Sequence, residues 1–174
     1  INKILKSISC DGKDLLEIGY GAGDIFTLYE KFNLNVYGYD YSEVAYNYAK
    51  SNVKANRVEL YKELSDIGDK KFDIVAAYEV LEHIKDDYEA IEQWKNYLKP
   101  NGKLIISVPA NPKKWGANDV YSGHYKRYIK SELIDLLNRA NMSLYCLYTY
   151  DFPSSIILDP LRDYEANKKL KKID

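Results

Sequence analysis

Leu16-Glu17-Ile18-Gly19-Tyr20-Gly21-Ala22-Gly23 joins an apolar run, Asp14 to Ile18, to a stretch in which Ile25, Leu28 and Phe32 recur at helical spacing. The run is short, continuous and stopped by glycine, as a strand buried on both faces should be. Glycines between a strand and a helix allow positive φ and let the backbone approach a ligand closely. The helix that follows presents N–H groups with no partner inside the helix. A second strand, Asn35 to Tyr39, leads into Asp40, a carboxylate placed to accept from both hydroxyls of a ribose. A glycine loop alone is a weak signal. Strand, loop, helix, strand and acidic residue in register point to an adenosine-type ligand.

Outward from this segment the alternation continues. Val44 to Lys54 reads as a helix, Arg57 to Tyr61 as a third strand and Phe72 to Ala77 as a fourth. A helix over about Asp87 to Leu98 is expected to stop at a turn, Lys99-Pro100-Asn101-Gly102, before a fifth strand, Lys103 to Val108. Ser131 is a candidate cap for a helix with Leu133, Ile134, Leu136 and Leu137 on its apolar side, and Leu144 to Tyr150 reads as a sixth strand. Strands alternating with helices of this length predict βαβ units and a parallel sheet, which binds ligands at the carboxyl ends of its strands. One stretch breaks the rhythm: Pro109 to Lys130 is rich in Gly, Pro, Asn and aromatic residues, and a loop this long is usually functional, often a lid.

The 174 residues suit one domain, and the 46% hydrophobic content supports a packed core. A formal net charge of −1 provides no overall field for nucleic acid or an anionic membrane, so neither is expected as a partner. No apolar run approaches the roughly 20 residues of a membrane span. Cys10 and Cys146 fit no metal or redox spacing and read as thiols of a reducing compartment, which makes the cytoplasm the default location.

The glycines fall as G-x-G-x-G behind Glu17, where dinucleotide sites favour G-x-G-x-x-G. This resembles motif I of class I S-adenosylmethionine (SAM)-dependent methyltransferases. Phe72-Asp73-Ile74-Val75, Glu79-Val80-Leu81-Glu82-His83-Ile84 and Leu98 to Leu104 are similar to that family's fourth strand, following helix and fifth strand, in order. The most similar branch contains ubiquinone-biosynthesis O-methyltransferases. The resemblance implies a Rossmann-like, doubly wound α/β fold: a mostly parallel sheet with helices on both faces. It also implies SAM as cofactor and a small-molecule acceptor, with oxygen favoured over nitrogen or carbon. Carried over by position, Glu17, Gly19, Tyr20 and Gly21 surround the methionyl moiety, Asp40 holds the ribose, Tyr41 packs against adenine, Leu64 lies at the adenine edge, and Glu79 faces SAM or the acceptor. Tyr20 stands where the family commonly has a small residue or cysteine.

Glu79, Glu82, His83 and His124 form a second constellation, and both histidines of the chain belong to it. His124 is the candidate general base for a hydroxyl acceptor. The same four residues look like the E-x-x-E-H…H metal set of small-RNA 3′-end 2′-O-methyltransferases, so a divalent ion is a second possibility, and local hydrogen bonding at a helix start a third. Trp115, Tyr121, Tyr125, Tyr128, Lys126 and Arg127 either wall an acceptor pocket or latch residues 109–130 down. The functional alternatives left open are an RNA 3′-end methyltransferase, a nucleotide-binding oxidoreductase and a non-catalytic SAM-binding protein. The family fold ends on a seventh strand. Here Ile156-Ile157-Leu158 is either a rudimentary version or the single domain, residues 1–174, is truncated at one or both ends; an exposed sheet edge would then favour a homodimer.

Overall fold

The computed structural model describes residues 1–150 and 155–172. The chain divides into two compact units, one of residues Ile1–Val80 and Glu92–Ser107, the other of Leu81–Ile91 and Val108–Asp174. The first contains a five-stranded parallel sheet of order β3-β2-β1-β4-β5. Its strands are β1 (Asp14–Ile18), β2 (Asn35–Tyr39), β3 (Val58–Tyr61), β4 (Phe72–Tyr78) and β5 (Leu98–Ser107). The helices α1 (Asn2–Ser7), α2 (Phe26–Lys31), α3 (Glu43–Asn52) and α4 (Asp87–Lys95) alternate with them along the chain. Strand order reverses between β1 and β4, which makes their carboxyl ends the switch point of the sheet.

Burial follows this order. Leu15, Leu16 and Ile18 of β1 and Ile74 to Ala77 of β4 are buried, whereas β3, at the edge, is only half-buried. Leu5, Phe26, Tyr29, Leu34, Val36 and Ala49 pack with the sheet into one core. Ser42 caps α3 by accepting the Ala45 N–H at 3.3 Å.

The expected turn at Lys99–Gly102 lies inside β5. Phe72 pairs with Leu98 and Ile74 with Lys103, so the additional residues are absorbed as a bulge, with Asn101 at φ +63°. Lys99 is an anchor there. Its Nζ lies 3.0 Å from Asp14 Oδ2 and 2.8 Å from Asp73 Oδ2, and Asp73 also accepts the Asp14 N–H at 3.1 Å. These contacts join the amino-terminal ends of β1, β4 and β5. Burial pushes the Asp73 carboxyl up, but Lys99 and the Asp14 N–H outweigh it and hold it below the usual range.

The second unit is helical: α5 (Ala117–Ser122), α6 (Lys130–Arg139) and α7 (Ser155–Leu170). Three expectations fail in it. Leu144–Tyr150 forms no strand among the described residues, since β propensity without a neighbouring strand supplies no ladder. Ile156–Leu158 belongs to α7 and is no rudimentary last strand, while Phe152 and Pro153 lie outside the described residues. Ser131 lies within α6; Ile129 stands at its N-cap, its N–H donating to the Glu132 carboxylate at 3.5 Å. Residues 109–130 are more ordered than their composition suggests, with α5 packed on α7. The Lys114–Asp159 ion pair at 2.8 Å and the Asn118 N–H donating to Asp163 at 2.9 Å tie the two segments together.

Gly38 tests the packing of the sheet. A Cβ there would lie 2.8 Å from the Tyr20 ring and 3.1 Å from both Leu60 and Phe26. Gly38→Ala is therefore expected to destabilise the chain by about 1–3 kcal/mol, the usual range for overpacking, in urea denaturation; unchanged stability would show that these side chains yield freely.

Candidate functional site

The loop after β1 turns at Gly19, where φ is +72° and a Cβ would lie 2.5 Å from Val80 Cγ2. A side chain is thus excluded by conformation and by space, and the loop comes flush against the residue that follows Glu79. Gly21, at φ +56°, faces open space, with nothing within 4 Å of where its Cβ would be. Its N–H donates to Asp40 Oδ2 at 2.8 Å, and the Ser42 N–H donates to Asp40 Oδ1 at 2.8 Å. One buried carboxylate thereby joins the loop after β1 to the loop after β2. A carboxylate offers about four lone-pair positions, so Asp40 keeps acceptor capacity beyond these two bonds.

Glu17, one strand away, has a different environment. Its side chain is buried in β1 beside the Tyr29 hydroxyl, and Oε2 makes no hydrogen bond. Burial pushes its carboxyl up to about 8; the Tyr29 hydroxyl acts in the opposite direction and the Asp40 charge adds to the rise.

Glu79 ends β4 with φ at +54°. The other non-glycine residues with positive φ among those described are all asparagine, which tolerates this region, so Glu79 is the strained member. Its N–H donates to the Ser107 carbonyl at 3.0 Å, and Ser107 Oγ donates to Glu79 Oε1 at 2.7 Å. Strain of this kind costs on the order of 1–3 kcal/mol and clusters at functional positions.

The remaining predicted residues fall as follows. Tyr41 follows Asp40 and is 88% exposed, leaving its ring available for stacking. Leu64 is half-buried at the start of a 3₁₀ turn after β3, its carbonyl accepting from the Tyr97 hydroxyl at 3.3 Å. Tyr20 points inward: its ring is buried 5.4 Å from that of Phe26, so its backbone is the part that the loop can offer a ligand.

In the second unit Glu82, His83 and His124 converge, with ligand atoms all within 4.8 Å of one another. Glu82 is fully buried, and its Oε1 lies 4.0 Å from His124 Nε2. The rings of His83 and His124 meet edge to face at 4.7 Å. Lys126 pairs with Asp87 and Arg127 with Asp119, so both cations are engaged internally, which favours the latch reading for this stretch. Tyr128 is buried, with its hydroxyl 3.2 Å from Asp87, whereas Trp115, Tyr121 and Tyr125 are exposed. Sequence reasoning missed Asp119, Ser107 and the Tyr29 hydroxyl. Only Asp119 carried a signal, the spacing Gly116-x-x-Asp119 of a helix start.

A parallel sheet with a glycine loop at its switch point and an acidic residue at the end of the neighbouring strand defines an α/β cofactor-binding domain. A family model described as a methyltransferase domain matches residues 1–147, and the chain belongs to that family. It is 30% identical to a ubiquinone biosynthesis O-methyltransferase of Coxiella burnetii over 110 residues, 60% of this chain and 47% of that protein. A protein of the same name from Idiomarina loihiensis is 24% identical over 177 residues, covering 91% of this chain and 70% of that one. The chain spans about half the length of the first curated relatives that it matches. An S-adenosylmethionine-dependent methyltransferase of Mesorhizobium loti shares the fold, with a TM-score of 0.72 at 14% identity over 94% of this chain and 90% of that one. The class I, Rossmann-like fold implied by the motif residues is the fold observed. Among the described residues no helix is long and apolar enough to cross a membrane.

The state of Glu17 has a measurable consequence. The unfolded chain releases this proton near 4.5, whereas the folded chain keeps it to about 8. Unfolding between those values releases a proton, so this group's contribution to stability falls as pH rises through the window. Glu17→Gln removes the effect. Its thermal midpoint is expected to gain on wild type steadily from about pH 5 to pH 8, each 1 kcal/mol being worth roughly 2–4 °C. Parallel curves in a pH series of thermal melts would show that Glu17 is ionised throughout.

Proposed function

We propose that this chain binds SAM at the carboxyl ends of β1, β2 and β4 and transfers its methyl group to a hydroxyl oxygen of a small-molecule acceptor. The observation that carries the reading is Asp40, a buried carboxylate at the end of β2, beside the switch point, that orders the glycine loop and keeps lone pairs for a ribose. Glu17 adds to it: a buried acid beside that loop suits the cationic end of SAM and does not suit a pyrophosphate. Similarity to ubiquinone biosynthesis O-methyltransferases supports oxygen as the acceptor atom.

SAM supplies a methyl group already activated on a sulfonium, so the protein has mainly to position and desolvate. Asp40 accepts from the ribose hydroxyls, Tyr41 offers a face to adenine, Leu64 an apolar edge, and the loop Gly19–Gly21 with Glu17 receives the amino-acid end. Glu79, held by Ser107, faces the reacting groups. His124 would serve as the base, taking the proton of the acceptor hydroxyl on Nε2, while the methyl group passes from sulfur to oxygen and S-adenosylhomocysteine is released. A second reading is favoured by the convergence of Glu82, His83 and His124. These three residues would hold a divalent ion whose charge makes the hydroxyl more acidic.

Calorimetric titration with SAM, S-adenosylhomocysteine and NAD⁺ tests the donor site. Binding of the first two, at least tenfold weaker in Asp40→Asn and undetectable for NAD⁺, is expected; NAD⁺ binding in place of SAM would make the domain an oxidoreductase fold instead.

His124→Gln is expected to lower methyl transfer to a hydroxylated aromatic acceptor by about 10²–10⁴-fold, the usual contribution of a general base, with SAM affinity unchanged. Full loss of wild-type transfer on chelation, restored by Mg²⁺ or Mn²⁺, would replace the base by the metal.

A further inference from the structure

Asp119 is fully buried and has no part in the function proposed above. We propose that it is the positioning residue for His124: it holds the single ring proton on Nδ1 and so presents Nε2 as a bare lone pair. The proposal rests on the reading of His124 as the group that acts on the acceptor, whether as base or as ligand, because both roles need Nε2 unprotonated.

Local structure brings the two side chains together. Gly123 ends α5 at φ +74°, and the His124 N–H donates back to the Asp119 carbonyl at 2.9 Å. This reversal, a left-handed glycine just past a helix end, places His124 over the last turn of α5. Three donors then meet one carboxylate. Oδ2 accepts the Gly116 N–H at 2.9 Å, while Oδ1 accepts Arg127 Nε at 2.7 Å and lies 2.9 Å from His124 Nδ1. Both oxygens thus accept, one of them from a guanidinium, so the carboxylate has no proton to give. An ionised carboxylate only accepts, so the Nδ1 contact requires a proton on Nδ1. A neutral imidazole has one ring proton, and Nε2 is therefore bare. The nearest Glu82 oxygen, 4.0 Å from Nε2, is beyond hydrogen-bond distance and does not draw the proton across.

An imidazole free in water favours the proton on Nε2, so the state inferred here is one that the surroundings impose. Alanine at 119 leaves Nδ1 without that acceptor, and the ring proton is expected to return to Nε2.

The chain has two histidines, so long-range ¹H–¹⁵N spectra of the labelled protein resolve both rings, with His83→Gln for assignment. The spectra are taken well above the ordinary histidine pKa of about 6.5. The expected result is His124 protonated at Nδ1 in wild type and at Nε2 in Asp119→Ala, with SAM affinity unchanged. A wild-type ring protonated at Nε2, or a variant that stays protonated at Nδ1, overturns the proposal. The wild-type spectrum decides even where the variant fails to fold. Because the spectra need no turnover, their outcome is separate from that of His124→Gln in the transfer assay, which tests the function itself.

Discussion

The pair of hydrogen bonds from Gly21 and Ser42 to one buried carboxylate, Asp40, is the constraint on which the cofactor end of the sheet depends. Neighbouring parallel strands end side by side, and the loops after them would otherwise be free to diverge. Here the loop after β1 is limited on one side by Val80, against which only glycine fits, and on the other by Asp40. The course of the loop is thus settled from both sides, while at Gly21 it faces open space.

Two carboxylates on adjacent strands divide the electrostatic work between them. Asp40 is buried yet receives two N–H groups, which supply what water would. Glu17 is buried among tyrosines and has no such support, so it keeps its proton. Two unsupported charges buried on adjacent strands would be costly to fold, and a protonated Glu17 avoids that cost.

Much of this was legible in the sequence, for physical reasons. Buried parallel strands announce themselves as unbroken apolar runs, and β1 and β4 were bounded closely by that signal. The glycine loop was legible because few residue types satisfy positive φ, and Asp40 because an acid directly after an apolar strand stands out. The errors arose where a local signal had a tertiary answer. Lys99-Pro100-Asn101-Gly102 has the composition of a turn, but the ion pairs of Lys99 with Asp14 and Asp73 draw it into β5 as a bulge. Leu144–Tyr150 has strand composition without a strand beside it. The inward course of Tyr20 depends on the space left by Gly38, which no reading of its own neighbourhood reveals. Asp119 went unnoticed because a single acid in an irregular stretch is ordinary until its partners are seen.

The three-way engagement of Asp119 also constrains how such a sequence can change over time. Remove the aspartate and a half-buried arginine, an imidazole and a helix-end N–H lose their acceptor together; remove Arg127 and a buried anion loses its counter-charge. Each single step passes through a poorly compensated interior, so residues 119, 124 and 127 should drift as a linked set, replaced jointly or kept jointly, while the exposed aromatic residues around them vary independently.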